Sequence, residues 1–127
     1  MVQFDHIEIH VKIAKLYVEF LKKLFKGGRY KKISENNTYM FLSQDNIRFE
    51  IKESSKFEKT LDLNITSGFC LPCLRMKGAF LHLEKINGIV ITKIIDNPDG
   101  KCIFFKDHED IEWHIKDYDF LDIYTNI

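Results

Sequence analysis

The sequence predicts an α+β fold built from two paired βαβββ modules, with curved mixed sheets around a cleft and helices on the outer faces. Three observations predict it. Strand-like alternation and helix-like spacing recur in the same order about 64 residues apart. A polar segment separates the two runs. Turn-forming residues punctuate both runs between their short strands. Module one covers about residues 1–52, a linker about 53–66, module two about 67–118 and a tail 119–127, all within a single domain.

Each element has its own signal. Residues 4–11 alternate polar and apolar from Asp5 onward, the pattern of a half-buried strand. Ile13, Leu16, Tyr17, Phe20, Leu21, Leu24 and Phe25 then recur at helical spacing, with Lys15, Glu19, Lys22, Lys23 and Lys26 facing outward. Gly27-Gly28 ends that helix. Strands follow at 29–34, 38–43 and 47–52, joined by turns at Glu35-Asn36-Asn37 and Gln44-Asp45-Asn46. In module two a strand is predicted at 69–76 and a helix at 77–87 with Ala79, Phe80, Leu83 and Ile86 inward. Strands at 89–95, 101–106 and 110–116 complete it, with Asn97-Pro98-Asp99-Gly100 as a hairpin turn. The end of the chain, from residue 117, is acidic and aromatic.

Composition narrows the function. The 127 residues carry 19 basic and 19 acidic side chains, for a formal net charge of zero. The basic residues are 16 Lys against 3 Arg. Neutrality and scarce arginine argue against a nucleic-acid partner. No apolar run is long enough to span a bilayer, and the first residues lack a signal peptide's basic and apolar regions. Three cysteines are too few for a disulfide scaffold. A cytoplasmic location and no membrane partner are therefore expected.

Strand periodicity then selects the candidate site. His6, Glu8 and His10 share one face of the first strand. Arg48, Glu50 and Lys52 share one face of the strand that closes module one. Asp110, Glu112, His114 and Lys116 share one face of the last strand, opposite Ile111, Trp113 and Ile115. These faces are either simply hydrated, as one side of an antiparallel sheet often is, or they line a site. His6, Glu50 and His114 supply two imidazoles and a carboxylate, a donor set suited to a divalent metal with open positions. Glu8 and His10 are reserve donors or their supports. Arg75 either binds an anionic substrate or pairs with Glu8 or Glu112. Cys70-Leu71-Pro72-Cys73 is a lone CxxC, a weak metal signal, and thiols three apart on a strand point to opposite faces. Cys102 reads as core, His82 as packing and His108 as part of a turn.

The stretch Asp5-His6-Ile7-Glu8-Ile9-His10-Val11-Lys12 with the helix through Phe20 and Lys23-Leu24-Phe25, then Ile47-Arg48-Phe49-Glu50-Ile51, then residues 107–115 around Trp113-His114, resembles the vicinal oxygen chelate superfamily of glyoxalase, bleomycin-resistance and extradiol dioxygenase proteins. The likeness covers about residues 4–118 and rests on the ordered set of motifs. It implies metal ligands from the first and last strands of each module. The first matches His6, the second Glu50 and the fourth His114, where the family usually has Glu. The third, usually His, falls at Cys70 by counting, or at Leu71 when strand ends are aligned. The second alignment is preferred, which leaves one ligand missing. The resemblance implies a small metal-dependent lyase or isomerase of the lactoylglutathione lyase type using Zn, Ni, Mn or Fe, with Glu50 as catalytic base. Glu8, His10, Arg48, Arg75 and Glu112 are then the residues expected at the small-molecule substrate. The alternative is a metal-independent module that binds a small molecule, as bleomycin-resistance proteins do. Homodimerisation is a further expectation from the family.

Overall fold

A computed structural model describes residues 5–54, 69–73, 76–97 and 100–117. The described elements run β1 (Ile7–Val11), α1 (Ala14–Leu24), β2 (Arg29–Ser34), β3 (Thr38–Leu42), β4 (Arg48–Glu53), β5 (Phe69–Cys73), α2 (Met76–Glu84), β6 (Val90–Asn97), β7 (Gly100–Lys106) and β8 (Glu112–Asp117). This is βαβββ twice, with element ends shifted by up to three residues from the sequence reading. The chain divides into two compact units, Met1–Leu61 and Asp62–Ile127. Each holds one four-stranded mixed sheet, ordered β1-β4-β3-β2 in the first and β5-β8-β7-β6 in the second. In each the first strand pairs in parallel with the last, and the other pairs are antiparallel.

In the first unit α1 packs on β1, β3 and β4. Ile9, Val11, Phe41, Phe49 and Ile51 meet Tyr17, Val18, Leu21 and Leu24 in a buried layer. The helix face differs from the expected one. Ile13 and Leu16 are 48% and 49% exposed, while Ala14 and Val18 are fully buried. Ile13 is extended (φ −131°, ψ 101°) and precedes the helix, and Leu16 lies about 100° from Tyr17, at the edge of the buried stripe that Ala14 and Val18 complete. The C-terminus differs too. The Gly27 N–H donates to the Lys22 carbonyl at 3.0 Å, and Lys26 itself takes the left-handed conformation at φ 55°. This is a 6→1 helix stop with lysine where glycine is usual.

Gly28 has a stricter task. At φ +93°, a Cβ there would lie 2.6 Å from the Phe41 ring and 2.8 Å from the Leu42 carbonyl oxygen. Gly28→Ala is expected to destabilise the protein by about 1–3 kcal/mol, read by chemical denaturation. An unchanged midpoint would exclude the close approach.

In the second unit α2 packs on β7 and β8. Leu83 and Ile86 cover Ile103, Phe105, Trp113 and Ile115. Two turns show the repeat most clearly. The Ser43 N–H donates to the Ile47 carbonyl and the Asn46 N–H to the Ser43 carbonyl, each at 3.0 Å. Asp107, Asp110 and Ile111 repeat both bonds at 3.0 Å. Asn46 and Asp110 share a left-handed conformation, φ 66° and 61°. In both turns the side chain of the first residue also accepts from the backbone N–H four residues on, at 2.9 Å for Ser43 and 3.1 Å for Asp107. These turns set Glu50 and His114 at equivalent places on β4 and β8.

Candidate functional site

The parallel pairing of β1 with β4 places Glu8 beside Glu50 and His10 beside Lys52. Apolar residues of both strands turn toward α1, so the ionisable ones gather on the opposite face. His6 Nε2 lies 3.3 Å from Glu50 Oε2. Asp5 Oδ2 lies 2.7 Å from the other imidazole nitrogen, Nδ1. Arg48 Nη1 donates to Asp5 Oδ1 at 3.2 Å. Lys52 Nζ bridges two carboxylates, 2.5 Å from Glu8 Oε1 and 3.2 Å from Glu50 Oε1. His10 Nε2 stands 3.7 Å from Glu8 Oε1. The group is half-open to solvent, and Glu50 is its most enclosed member at 17% side-chain exposure.

Protonation follows these contacts. The hydrogen bond that His6 donates to Asp5 raises the His6 pKa above 6.5, and the nearby Glu50 charge adds to it. The same bond lowers Asp5. Lys52 holds Glu8 below the usual carboxylate value, and Glu8 and then Glu50 raise Lys52.

In the second unit His114 stacks on Phe104, with ring centroids 5.2 Å apart. Burial lowers its pKa below 6.5, and Lys116 adds to the lowering. The two imidazoles therefore titrate on opposite sides of 6.5. The two shifts have opposite sign, so His114 is expected to lose its proton at lower pH than His6. Histidine NMR titrations should show this order, and a His114 midpoint above that of His6 would contradict it.

Of the expected site residues, His6, Glu8, His10, Arg48 and Glu50 are brought together in the first unit. His114 and Glu112 lie on β8 of the second. Arg75 falls outside the described residues. The preferred third-ligand position is corrected by the register. Glu8 pairs with Glu50, and Cys70 pairs with His114. Cys70 is thus the counterpart of Glu8, and Leu71 that of Ile9. The counterpart of His6 lies outside the described residues. Aligning strand ends fails because the expected strand runs to residue 76, whereas α2 begins at Met76.

Among the described residues no group of three or more His, Cys, Asp or Glu is arranged to hold a metal ion. The His6–Glu50 pair nevertheless has the right shape for two ligands. Two donors, each about 2.1 Å from one ion and about 90–110° apart, stand roughly 3.0–3.4 Å from each other. The observed 3.3 Å lies in that range. Asp5 on the far imidazole nitrogen matches the carboxylate–histidine support common behind metal ligands.

Asp5 and Lys52 were not among the expected site residues. The signal for Asp5 was its adjacency to His6, masked because strict alternation sends neighbours to opposite faces. It lies before β1 begins, so alternation does not bind it. Lys52 was visible on the polar face, but its link to Glu8 depends on the parallel register. No helix among the described residues is long and apolar enough to cross a membrane.

No family model matches the chain, and no curated protein matches it. Solved structures do. A mutant of the fosfomycin resistance protein FosX from Listeria monocytogenes, complexed with Mn(II) and 1S,2S-dihydroxypropylphosphonic acid, aligns at TM-score 0.70 and 16% identity over 91% of this chain and 89% of that one. FosX from Mesorhizobium loti aligns at TM-score 0.72 and 13% identity over 98% of both chains. A glyoxylase/bleomycin resistance protein/dioxygenase domain from Frankia aligns at TM-score 0.69 and 11% identity over 92% of both.

Proposed function

We propose that this chain, which has the fold of the vicinal oxygen chelate superfamily, is a metal-dependent enzyme acting on a small oxygen-bearing molecule, with His6 and Glu50 as metal ligands. The observation that carries the proposal is the His6–Glu50 pair, with its two donor atoms 3.3 Å apart and Asp5 behind the imidazole. The Mn(II) in the similar FosX structure supports a divalent ion. His114 is proposed as the second unit's donor, and its burial-lowered pKa favours the neutral imidazole that a ligand needs.

A bound divalent ion supplies Lewis-acid stabilisation of negative charge on substrate oxygens. The chain's own residues do the rest. Asp5 accepts the Nδ1 proton and so directs Nε2 toward Glu50. Lys52 holds Oε1 of Glu50, which leaves Oε2 as the basic atom. In a glyoxalase-like isomerisation Glu50, when it is not serving as a ligand, would take the proton from a hydroxyl-bearing carbon beside a carbonyl and return it to the former carbonyl carbon, while the hydroxyl proton passes to the former carbonyl oxygen. Glu8, His10, Arg48, Arg75 and Glu112 are proposed as substrate contacts. A homodimer and a cytoplasmic location complete this reading.

The test is metal content in protein purified without chelator or metal-affinity tag, followed by addition of excess Mn, Zn, Ni or Fe. Stoichiometric binding of one ion is expected. Absence of binding to all four sinks the metalloenzyme reading. One observation favours the second reading, metal-independent ligand binding: Lys52 already places a cation on Glu50. Ligand stabilisation in a thermal-shift screen that survives chelator, with the ligand recovered intact, would support that instead.

A further inference from the structure

Glu8 and Glu50 are direct neighbours across the β1–β4 pair, with side chains on one face. Paired strands lie about 4.8 Å apart, so two carboxylates there repel unless a cation stands between them. With His6 they form a sequence-level set of three metal donors on one sheet face. Yet the three are not gathered around a common point. Lys52 explains why: its ammonium takes Glu8 at 2.5 Å and the far oxygen of Glu50 at 3.2 Å. Glu50 then has one oxygen left toward His6.

We propose that Lys52 is an internal cation that keeps Glu8 out of the metal's coordination and thereby holds the affinity of the His6–Glu50 pair low. The inference rests on the metal reading given above. Lys52 is a positioning residue, since it acts through the two carboxylates. It has two effects of the same sign. It cancels one negative charge beside the ion, and it withholds a third oxygen donor. Removing it leaves two uncompensated carboxylates, and affinity for hard cations rises with the charge and number of oxygen ligands. The consequence for function is a metal held with open positions for substrate oxygens.

The experiment counts free Mn(II) by electron paramagnetic resonance during titration of wild type, Lys52→Met, Lys52→Gln and Lys52→Arg. Lys52→Met and Lys52→Gln are expected to bind Mn(II) at least about tenfold more tightly than wild type. Lys52→Arg keeps the cation and should stay within about threefold. Adding Glu8→Gln to Lys52→Met should remove most of the gain. A purely structural lysine would act oppositely, because losing it would loosen the site and weaken binding. Two neutral variants are used so that a folding defect in one leaves the other. If wild type binds Mn(II) and both neutral variants bind equally or more weakly, the Lys52 proposal fails and the metal reading stands. If only the neutral variants bind, Lys52 is confirmed as the blocking cation and the metal reading of the native chain fails. If none binds, both fail.

Discussion

Asp107→Ala is expected to lower the melting temperature by roughly 10–20 °C, which corresponds to a loss of about 3–5 kcal/mol in a domain of this size. The carboxylate is buried, with 2% exposure. Its Oδ1 accepts from the Glu109 N–H at 2.8 Å and the Ile111 N–H at 3.1 Å. Its Oδ2 accepts from Trp113 Nε1 at 3.0 Å, and that ring is fully buried. Alanine removes the acceptor of all three donors where water has little access, and an unsatisfied buried donor costs about 1–3 kcal/mol. Asp107→Asn keeps one acceptor oxygen and turns an N–H₂ against a donor, so its effect should be intermediate. Thermal unfolding followed by circular dichroism reads both. A shift below about 3 °C for alanine would mean that the turn does not depend on this carboxylate. The loss also reaches His114, because this turn launches β8.

Removing either proposed ligand has the second large effect. His6→Ala and Glu50→Gln should each weaken Mn(II) binding by at least about 100-fold, since each deletes one of the two donors of the His6–Glu50 pair. Asp5→Asn should weaken it by about 10–100-fold through the imidazole it supports. The sign of the pH dependence follows from His6. Its pKa is raised above 6.5 by Asp5 and Glu50, so the metal must displace a proton over a wider acid range. Affinity should therefore rise as pH is increased through and beyond 6.5, and His6→Ala should flatten that dependence. Calorimetric titration at several pH values measures both. Equal affinity in wild type and His6→Ala at every pH would remove His6 from the site.

Much of the fold is legible in the sequence because short-range patterns carry it. Strict alternation in 5–11 sends Ile9 and Val11 into the core and leaves Glu8 and His10 exposed. The spacing of Tyr17, Leu21 and Leu24 predicts a buried helix stripe, and all three are buried. Ile13 and Leu16 differ from the expectation because hydrophobicity alone says neither where a helix begins nor how wide its buried stripe is: Ile13 precedes the helix, and Leu16 lies about 100° from Tyr17, at the stripe's edge. Trp113 was visible as an inward residue. Its hydrogen bond to Asp107 was not, because that depends on a turn folding a carboxylate back over a ring six positions later.

For the candidate site the division has the same cause. The sequence by itself determined which residues share a face: His6, Glu8 and His10 on one strand, Arg48, Glu50 and Lys52 on another. Alternation along a strand follows from backbone geometry and needs no knowledge of neighbours. Only the tertiary structure decided who meets whom. The parallel register set Glu8 beside Glu50, carried Lys52 between them, left His6 3.3 Å from Glu50, and by pairing Cys70 with His114 made Cys70 the equivalent of Glu8 rather than of His6. Strand pairing joins residues more than 40 positions apart, and its register is fixed by core packing and turn closure across the whole unit, which no local pattern encodes.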